Sequence, residues 1–279
     1  MRRRRKHGQV VIIGGAEDRE GEARILREFV RLAGGARARI SIIAAASENA
    51  SEVAASYTEV FLRLGAAEAH ELKIVGRKDA DGAEAVAAGE RATGVFFTGG
   101  NQVRITRTLG GTRLDTILHK RHAEGLVLAG TSAGAAMMSS VMITGGPPVS
   151  TLRAGGVELG PGLEFVPGVL IDQHFEERGR LRRLLSAVAQ HPHDIGLGID
   201  ENTAAVVSGH RLEVIGAGTV TIIDAGHLTY TNLNELEKNE LLAICGVKIH
   251  ILPAGYRFDL QNREPVTGAR SPDCGGVDI

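Results

Sequence analysis

Short aliphatic runs alternate along this chain with stretches whose apolar residues recur every three to four positions. Residues 9–13 predict a strand buried on both faces, stopped by Gly14 and Gly15. Residues 22–33 place Ala23, Ile25, Leu26, Phe29, Val30 and Leu32 mostly at helical spacing. The same alternation predicts further strands at 39–45, 71–75, 94–98, 126–129, 168–171 and 195–199. Helices are predicted at 50–64, which Gly65 would terminate, at 83–90, 101–109 and 112–122, with helical spacing restarting over 133–140.

Strands and helices in such alternation read as an α/β fold: a doubly wound, mostly parallel sheet flanked by helices. Residues 204–223 change character, with short β-branched runs separated by Ser208-Gly209 and Gly216-Ala217-Gly218, and predict additional antiparallel strands at an edge. Residues 144–162 are rich in Gly, Pro, Ser and Thr and predict a long loop, a kind of segment that is often functional. With no linker, repeat or low-complexity tract, residues 1–279 read as a single catalytic domain, with a basic tail over 1–8 and an irregular tail over 256–279.

A chain of 279 residues buries roughly three quarters of its unfolded surface and needs no staples to fold. Lys plus Arg number 32 against 33 Asp plus Glu, so no global field favours nucleic acid or an anionic membrane as a partner. The two cysteines, Cys245 and Cys274, have neither disulfide-framework nor metal spacing, and neither a metal nor another cofactor is expected. No run of 18 apolar residues is present. The basic start, Arg2 to His7, is followed by an apolar stretch too short for a secretory signal, which makes it a solvated tail and the expected location cytoplasmic.

Ligands of doubly wound sheets sit outside the carboxyl ends of the strands, so the glycine-bearing turns there carry the chemistry. Gly14-Gly15-Ala16-Glu17-Asp18 lacks the GxGxxG spacing and puts two carboxylates where a pyrophosphate would lie. It reads as a tight turn from which Glu17 or Asp18 could reach a cationic ligand. Gly99 and Gly100 are either turn glycines or donors of backbone N–H groups to an oxyanion. Gly130-Thr131-Ser132-Ala133-Gly134 follows an apolar strand and precedes small helical residues, the context of a nucleophile elbow. There Ser132 would expose its hydroxyl and the Ala133 N–H would meet a developing oxyanion.

A serine nucleophile needs a base. Of the ten histidines, His174 stands at the carboxyl end of the apolar run 168–171, which predicts that it shares a sheet edge with Ser132. The next apolar run ends in Asp200-Glu201-Asn202, and either acid could orient the imidazole, because alternation lets only one face it. The order nucleophile, histidine, acid differs from that of the α/β-hydrolases.

Taken together and in order, Gly14-Gly15-Ala16-Glu17-Asp18, Phe97-Thr98-Gly99-Gly100-Asn101-Gln102, Gly130-Thr131-Ser132-Ala133-Gly134-Ala135, Asp172-Gln173-His174-Phe175 and Gly198-Ile199-Asp200-Glu201-Asn202-Thr203-Ala204 resemble the motifs of the cyanophycinase family, over roughly residues 8–255. That family is similar to the peptidase E group of serine peptidases, with a class I glutamine amidotransferase-like fold. The resemblance implies a serine exopeptidase that releases β-Asp-Arg dipeptides from cyanophycin (multi-L-arginyl-poly-L-aspartate), with Ser132 as nucleophile, His174 as base and Glu201 as acid. It also implies a homodimer. The alternatives are an α-aspartyl dipeptidase of the peptidase E type and a non-catalytic amidotransferase-like binding domain.

Each arginyl unit of that polymer ends in a guanidinium and a carboxylate, so a pocket needs both acidic and cationic groups. Residues 176–183 hold both signs at helical spacing, and Arg suits bidentate carboxylate binding. The substrate-binding expectation therefore falls on Arg178, Arg180 and Arg183 with Gln102, Asp172, Gln173 and Asn202. The competing reading is a solvated amphipathic helix.

Overall fold

The computed structural model describes residues 7–146, 152–153, 155–237 and 240–266. From the amino end run β1 (Val10–Ile13), α1 (Arg24–Leu32), β2 (Arg39–Ile43), α2 (Ala50–Arg63), β3 (Glu68–Glu71), α3 (Arg77–Ala80), α4 (Ala83–Arg91) and β4 (Gly94–Phe97). Then come α5 (Gln102–Leu109), α6 (Arg113–Ala123), β5 (Val127–Thr131), the one-turn α7 (Ala133–Ala136), β6 (Val141–Gly145), β7 (Glu158–Pro161), β8 (Val169–Gln173), α8 (Leu181–Gln190) and β9 (Ile195–Ile199). Strands follow, β10 (Thr203–Ser208), β11 (Arg211–Gly216), β12 (Thr219–Asp224), β13 (Tyr230–Thr231), β14 (Ile244–Cys245), β15 (Lys248–Pro253), β16 (Arg257–Asp259) and β17 (Glu264–Pro265), with a 3-10 turn at Leu233–Glu235.

The main sheet has nine strands in the order β17-β16-β11-β10-β1-β5-β4-β2-β3. Its β1-β5-β4-β2-β3 half is parallel, and β10, β11, β16 and β17 extend it antiparallel from β1. The fold is thus α/β, mostly parallel at its centre, with antiparallel strands at one edge. Successive strand residues point to opposite faces, and the cores divide accordingly. Val11, Ile13, Phe96 and Ala129 meet Phe29 of α1 and Tyr57 and Phe61 of α2, whereas Ile12, Phe97 and Leu128 meet α4, α5, α6 and α7 through Ala88, Ile105, Leu118 and Ala135. Continuous apolar runs were the right signal for these strands because both faces are covered.

Five predicted features differ. Strand β3 lies at 68–71, not 71–75; as a half-exposed edge strand it carries an alternating pattern rather than an apolar run. The helix expected over 133–140 is a single turn. The loop expected over 144–162 begins and ends in the β6–β7 hairpin, with residues 147–151 and 154 outside the described residues. Within the tail expected to be irregular, β16 and β17 pair with the sheet edge; residues 1–6 and 267–279 lie outside the described residues. Finally, β8 and β9 do not join the main sheet but form a second, four-stranded one, β15-β12-β9-β8. Leu170 packs with Leu184 and Val188 of α8, while Ile171 and Leu197 join the core under the main sheet. Burial on both faces says nothing about which sheet a strand enters. Among the described residues no helix is long and apolar enough to cross a membrane.

Candidate active site

Ser132 occupies the turn between β5 and α7 at φ 52°, ψ −114°, a conformation L-residues avoid and surrounding structure must enforce. Two glycines enforce it by letting backbones touch. A Cβ on Gly130 would lie 2.1 Å from the Gly134 carbonyl oxygen, and one on Gly134 would lie 2.3 Å from that of Phe97. The Ser132 carbonyl accepts from the N–H groups of Ala135 and Ala136, both at 3.0 Å, and so starts α7.

His174 directly follows β8, also at positive φ (49°). Its Nε2 lies 3.0 Å from Ser132 Oγ, and its Nδ1 lies 2.5 Å from Glu201 Oε1. A neutral imidazole that donates from Nδ1 to Glu201 accepts the serine proton at Nε2. Gly15 makes room for the ring, since a Cβ there would sit 2.3 Å from His174 Cε1. The neighbouring acid faces away: Asp200 accepts from the Glu176 N–H at 3.2 Å and from the Thr219 N–H and hydroxyl at 2.9 and 2.7 Å.

The three segments arrive from two sheets, and the end of β1 joins them. Three consecutive carbonyls, those of Ile13, Gly14 and Gly15, accept the backbone N–H groups of Ser132 (3.1 Å), His174 (2.8 Å) and Asn202 (2.8 Å) in turn. This replaces the expectation that Ser132 and His174 share one sheet edge: the carboxyl ends of two sheets converge instead. Asn202, at φ 47°, also accepts from the Asp18 N–H through its side chain at 2.9 Å.

The N–H groups of Gly99, Gly100 and Ala133 have no acceptor among the described residues. Gly99 adjoins the serine, its ideal Cβ position being 3.4 Å from Ser132 Cβ. Gly100, at φ 138°, passes so close to Ala46 that a Cβ would fall 2.1 Å from its carbonyl oxygen.

Of the other candidates, Gln173, Arg180 and Arg183 gather around Asp172, whose side chain is fully buried. Asp172 Oδ2 accepts from Arg183 Nε at 2.8 Å, and Oδ1 from Arg183 Nη2, a bidentate pair, with Arg180 Nη1 at 3.2 Å. Arg180 also donates to Gln173 through its side-chain and backbone oxygens. Burial lowers the Arg180 pKa to about 10, opposed by Asp172 and reinforced by Arg183 and Arg178. Arg178 is exposed, and Gln102 donates to the Ile143 carbonyl at 2.8 Å. Helical spacing is not what assembles these arginines. The helix starts only at Leu181, and residues 175–180 form turns, with Gly179 at φ 58°.

One arrangement near the serine was only half legible. Glu17 is 6% exposed and accepts from the Tyr57 hydroxyl and, at 2.6 Å, from the Thr131 hydroxyl. Burial, then the charge of Glu17, raises the Tyr57 pKa well beyond the usual phenol range. The sequence marks Glu17 as a turn acid, but nothing in it separates Tyr57 from the core residues around it on α2. Among the described residues no cluster of three or more His, Cys, Asp or Glu could hold a metal ion.

A serine on a strained strand-to-helix turn, linked through an imidazole to a carboxylate, is the geometry of a serine hydrolase. The chain belongs to peptidase family S51, whose sequence profile matches residues 10–215. It is 42% identical over 256 residues to a cyanophycinase of Nostoc sp. (strain PCC 7120 / SAG 25.82 / UTEX 2576), covering 91% of this chain and 86% of that one. It is 39% identical over 264 residues to a cyanophycinase of Geminocystis herdmanii (strain PCC 6308), covering 93% and 96%. The fold is similar to the crystal structure of a peptidase from an acI-B1 Actinobacterium, with TM-score 0.68 at 24% identity over 92% of this chain and 98% of that one.

Proposed function

We propose that this chain is a serine exopeptidase that hydrolyses cyanophycin to β-Asp-Arg dipeptides. The observation that carries the reading is the unbroken chain from Ser132 Oγ through both imidazole nitrogens to Glu201, at 3.0 and 2.5 Å. Membership of family S51 and the cyanophycinase relatives supply the substrate class.

In this reading Ser132 Oγ attacks the backbone carbonyl of the polymer as its proton passes to His174 Nε2. Glu201 stabilises the imidazolium that forms, and the N–H groups of Ala133, Gly99 and Gly100 receive the oxyanion. His174 then protonates the departing amine. Water, activated by the same imidazole, releases the acyl group from Ser132. Arg178, Arg180 and Arg183 offer guanidinium donors to the free carboxylate of an arginyl unit, with Asp172 orienting Arg180 and Arg183 and Gln173 orienting Arg180, and Gln102 and Asn202 complete the polar lining. The enzyme acts as a homodimer in the cytoplasm; light scattering should return twice the mass of the chain.

The test is incubation with cyanophycin and identification of the products by mass. β-Asp-Arg from the native chain, and none from Ser132→Ala, is the expected result. Cleavage of free α-aspartyl dipeptides with cyanophycin left intact would overturn the substrate assignment.

A further inference from the structure

Beside Ser132 opens a cavity of about 270 Å³, bordered by Glu17, Arg19, Tyr57, Gly99, Thr131 and the serine itself. Roughly 300 Å³ is the lower limit for pockets that take drug-sized ligands, so this one suits a single amino-acid side chain. Arg178, Arg180 and Arg183 do not border it.

Its chemistry is uneven in a way the fold itself does not require. Among the described residues Glu17 is a buried carboxylate held only by two neutral hydroxyls, those of Tyr57 and Thr131. Among the described residues it has no salt-bridge partner, whereas the buried acids Asp172 and Asp224 each have arginine. Asp200, also buried without a cation, accepts three hydrogen bonds against the two of Glu17. Burying a carboxylate costs free energy that an opposite charge normally offsets. Each Glu17 oxygen accepts one hydrogen bond from the protein, and a carboxylate oxygen has a second lone pair to offer. Next to it the Tyr57 ring presents a face on which a planar cation stacks, and Arg19 already lies over that ring with its guanidinium carbon 5.3 Å from the centroid. Arg19 is exposed at the mouth.

We propose that Glu17 is a specificity-determining residue: its carboxylate receives the guanidinium of the arginyl unit next to the scissile bond, while Arg19 at the rim meets that unit's free carboxylate. The inference rests on the cyanophycin reading above and adds to it a second pocket, separate from the arginine cluster around Asp172. An acidic floor and a basic rim match a unit that ends in one positive and one negative group. Because Thr131 precedes Ser132 in the chain and donates to the same carboxylate, a bound guanidinium would be registered directly against the nucleophile.

The experiment measures binding rather than turnover, so that its failure is distinct from failure of the nucleophile assignment. In the Ser132→Ala background, calorimetry compares a short β-Asp-Arg oligomer with its citrulline counterpart, which has the same shape and a neutral ureido end. The expected preference for arginine is at least about thirtyfold, the scale of a charge-assisted hydrogen-bond pair. Adding Glu17→Gln should reduce that preference below about threefold and leave citrulline binding unchanged. Adding Tyr57→Phe instead keeps the carboxylate and should keep most of the preference. A preference that survives Glu17→Gln overturns the inference, as does an equal loss for both oligomers, which would mean that Glu17 only braces Thr131. Cyanophycin cleavage by the chain that retains Ser132 tests the function itself and is scored separately from these affinities.

Discussion

Replacing Asp172 by Asn tests whether this acid acts through its arginines. The Asp172 side chain has no exposed surface, and those of Arg180 and Arg183 are only 13% and 18% exposed, so water screens these charges little. Removing one member of a buried pair leaves the others uncompensated and costs about 3–5 kcal/mol. Here two guanidinium groups lose their shared acceptor, and an amide placed at the bidentate Arg183 contact would turn a donor toward a donor. Against a total stability of about 5–15 kcal/mol the loss is large, and at about 2–4 °C per kcal/mol it lowers the melting temperature by roughly 10 °C. Urea titration followed by circular dichroism measures it. Asp172→Leu alone, Arg183→Met alone and the two together form a cycle in which the double variant should recover at least about 1.5 kcal/mol of the summed single losses. If Asp172→Asn unfolds within about 1 kcal/mol of the native chain while activity collapses, the carboxylate serves substrate directly and the argument from pairing fails.

Ser132→Ala and His174→Ala should each lower cyanophycin turnover by at least about four orders of magnitude with melting unchanged, since triad members act as a unit. Glu201→Gln should cost at least about a hundredfold in kcat. Asp200→Asn, whose three accepted hydrogen bonds are to Glu176 and Thr219, should instead show its effect in melting; the reverse pattern would exchange the two acids. Gly134→Ala should destabilise the chain by about 3 kcal/mol or more, because its Cβ meets the Phe97 carbonyl rather than a movable side chain; wild-type melting would refute the close approach. Burial holds the His122 pKa below its usual 6.5, opposed by the Leu126 carbonyl and reinforced by His7 and His119. The unfolded chain therefore takes up this proton first as pH falls below about 6.5, and native stability drops with it. Urea titrations at pH values of about 7.5 and 5.5, on either side of the unfolded pKa, should show a smaller drop for His122→Gln.

Ser132, His174 and Glu201 were legible as candidates because each follows an apolar run that ends abruptly in glycine or polar residues, which is how strands deliver side chains to a ligand edge. The edge itself was not legible. An apolar run buried on both faces looks the same in either sheet, so the transfer of β8 and β9 to a second sheet left no local trace. Over 176–183 the opposite happened: charges and leucines fit helical spacing, but Gly179 at φ 58° keeps residues 175–180 in turns, and Asp172 rather than a helix face gathers Arg180 and Arg183. Tyr57 was invisible for a different reason. A half-polar side chain on the buried face of a helix looks like any core aromatic until its hydroxyl is seen to reach Glu17.

The run of carbonyls from Ile13 to Gly15 sets the spacing of nucleophile, base and Asn202, the residue after the acid, with the peptide unit itself as the measure. Such a gauge has no side chain to lose. Gly14 and Gly15 must stay glycine, since a Cβ would fall 2.0 Å from the Asp200 carbonyl oxygen and 2.3 Å from His174 Cε1, but loops farther out are free to acquire new pockets without disturbing the reacting groups. Its vulnerability lies in counting. Inserting or deleting one residue between Ile13 and Gly15 would put every carbonyl out of step with its amide, and proline at 132, 174 or 202 would remove the amide altogether. Divergence of this segment is therefore costly in chain length and, at Gly14 and Gly15, in side-chain size.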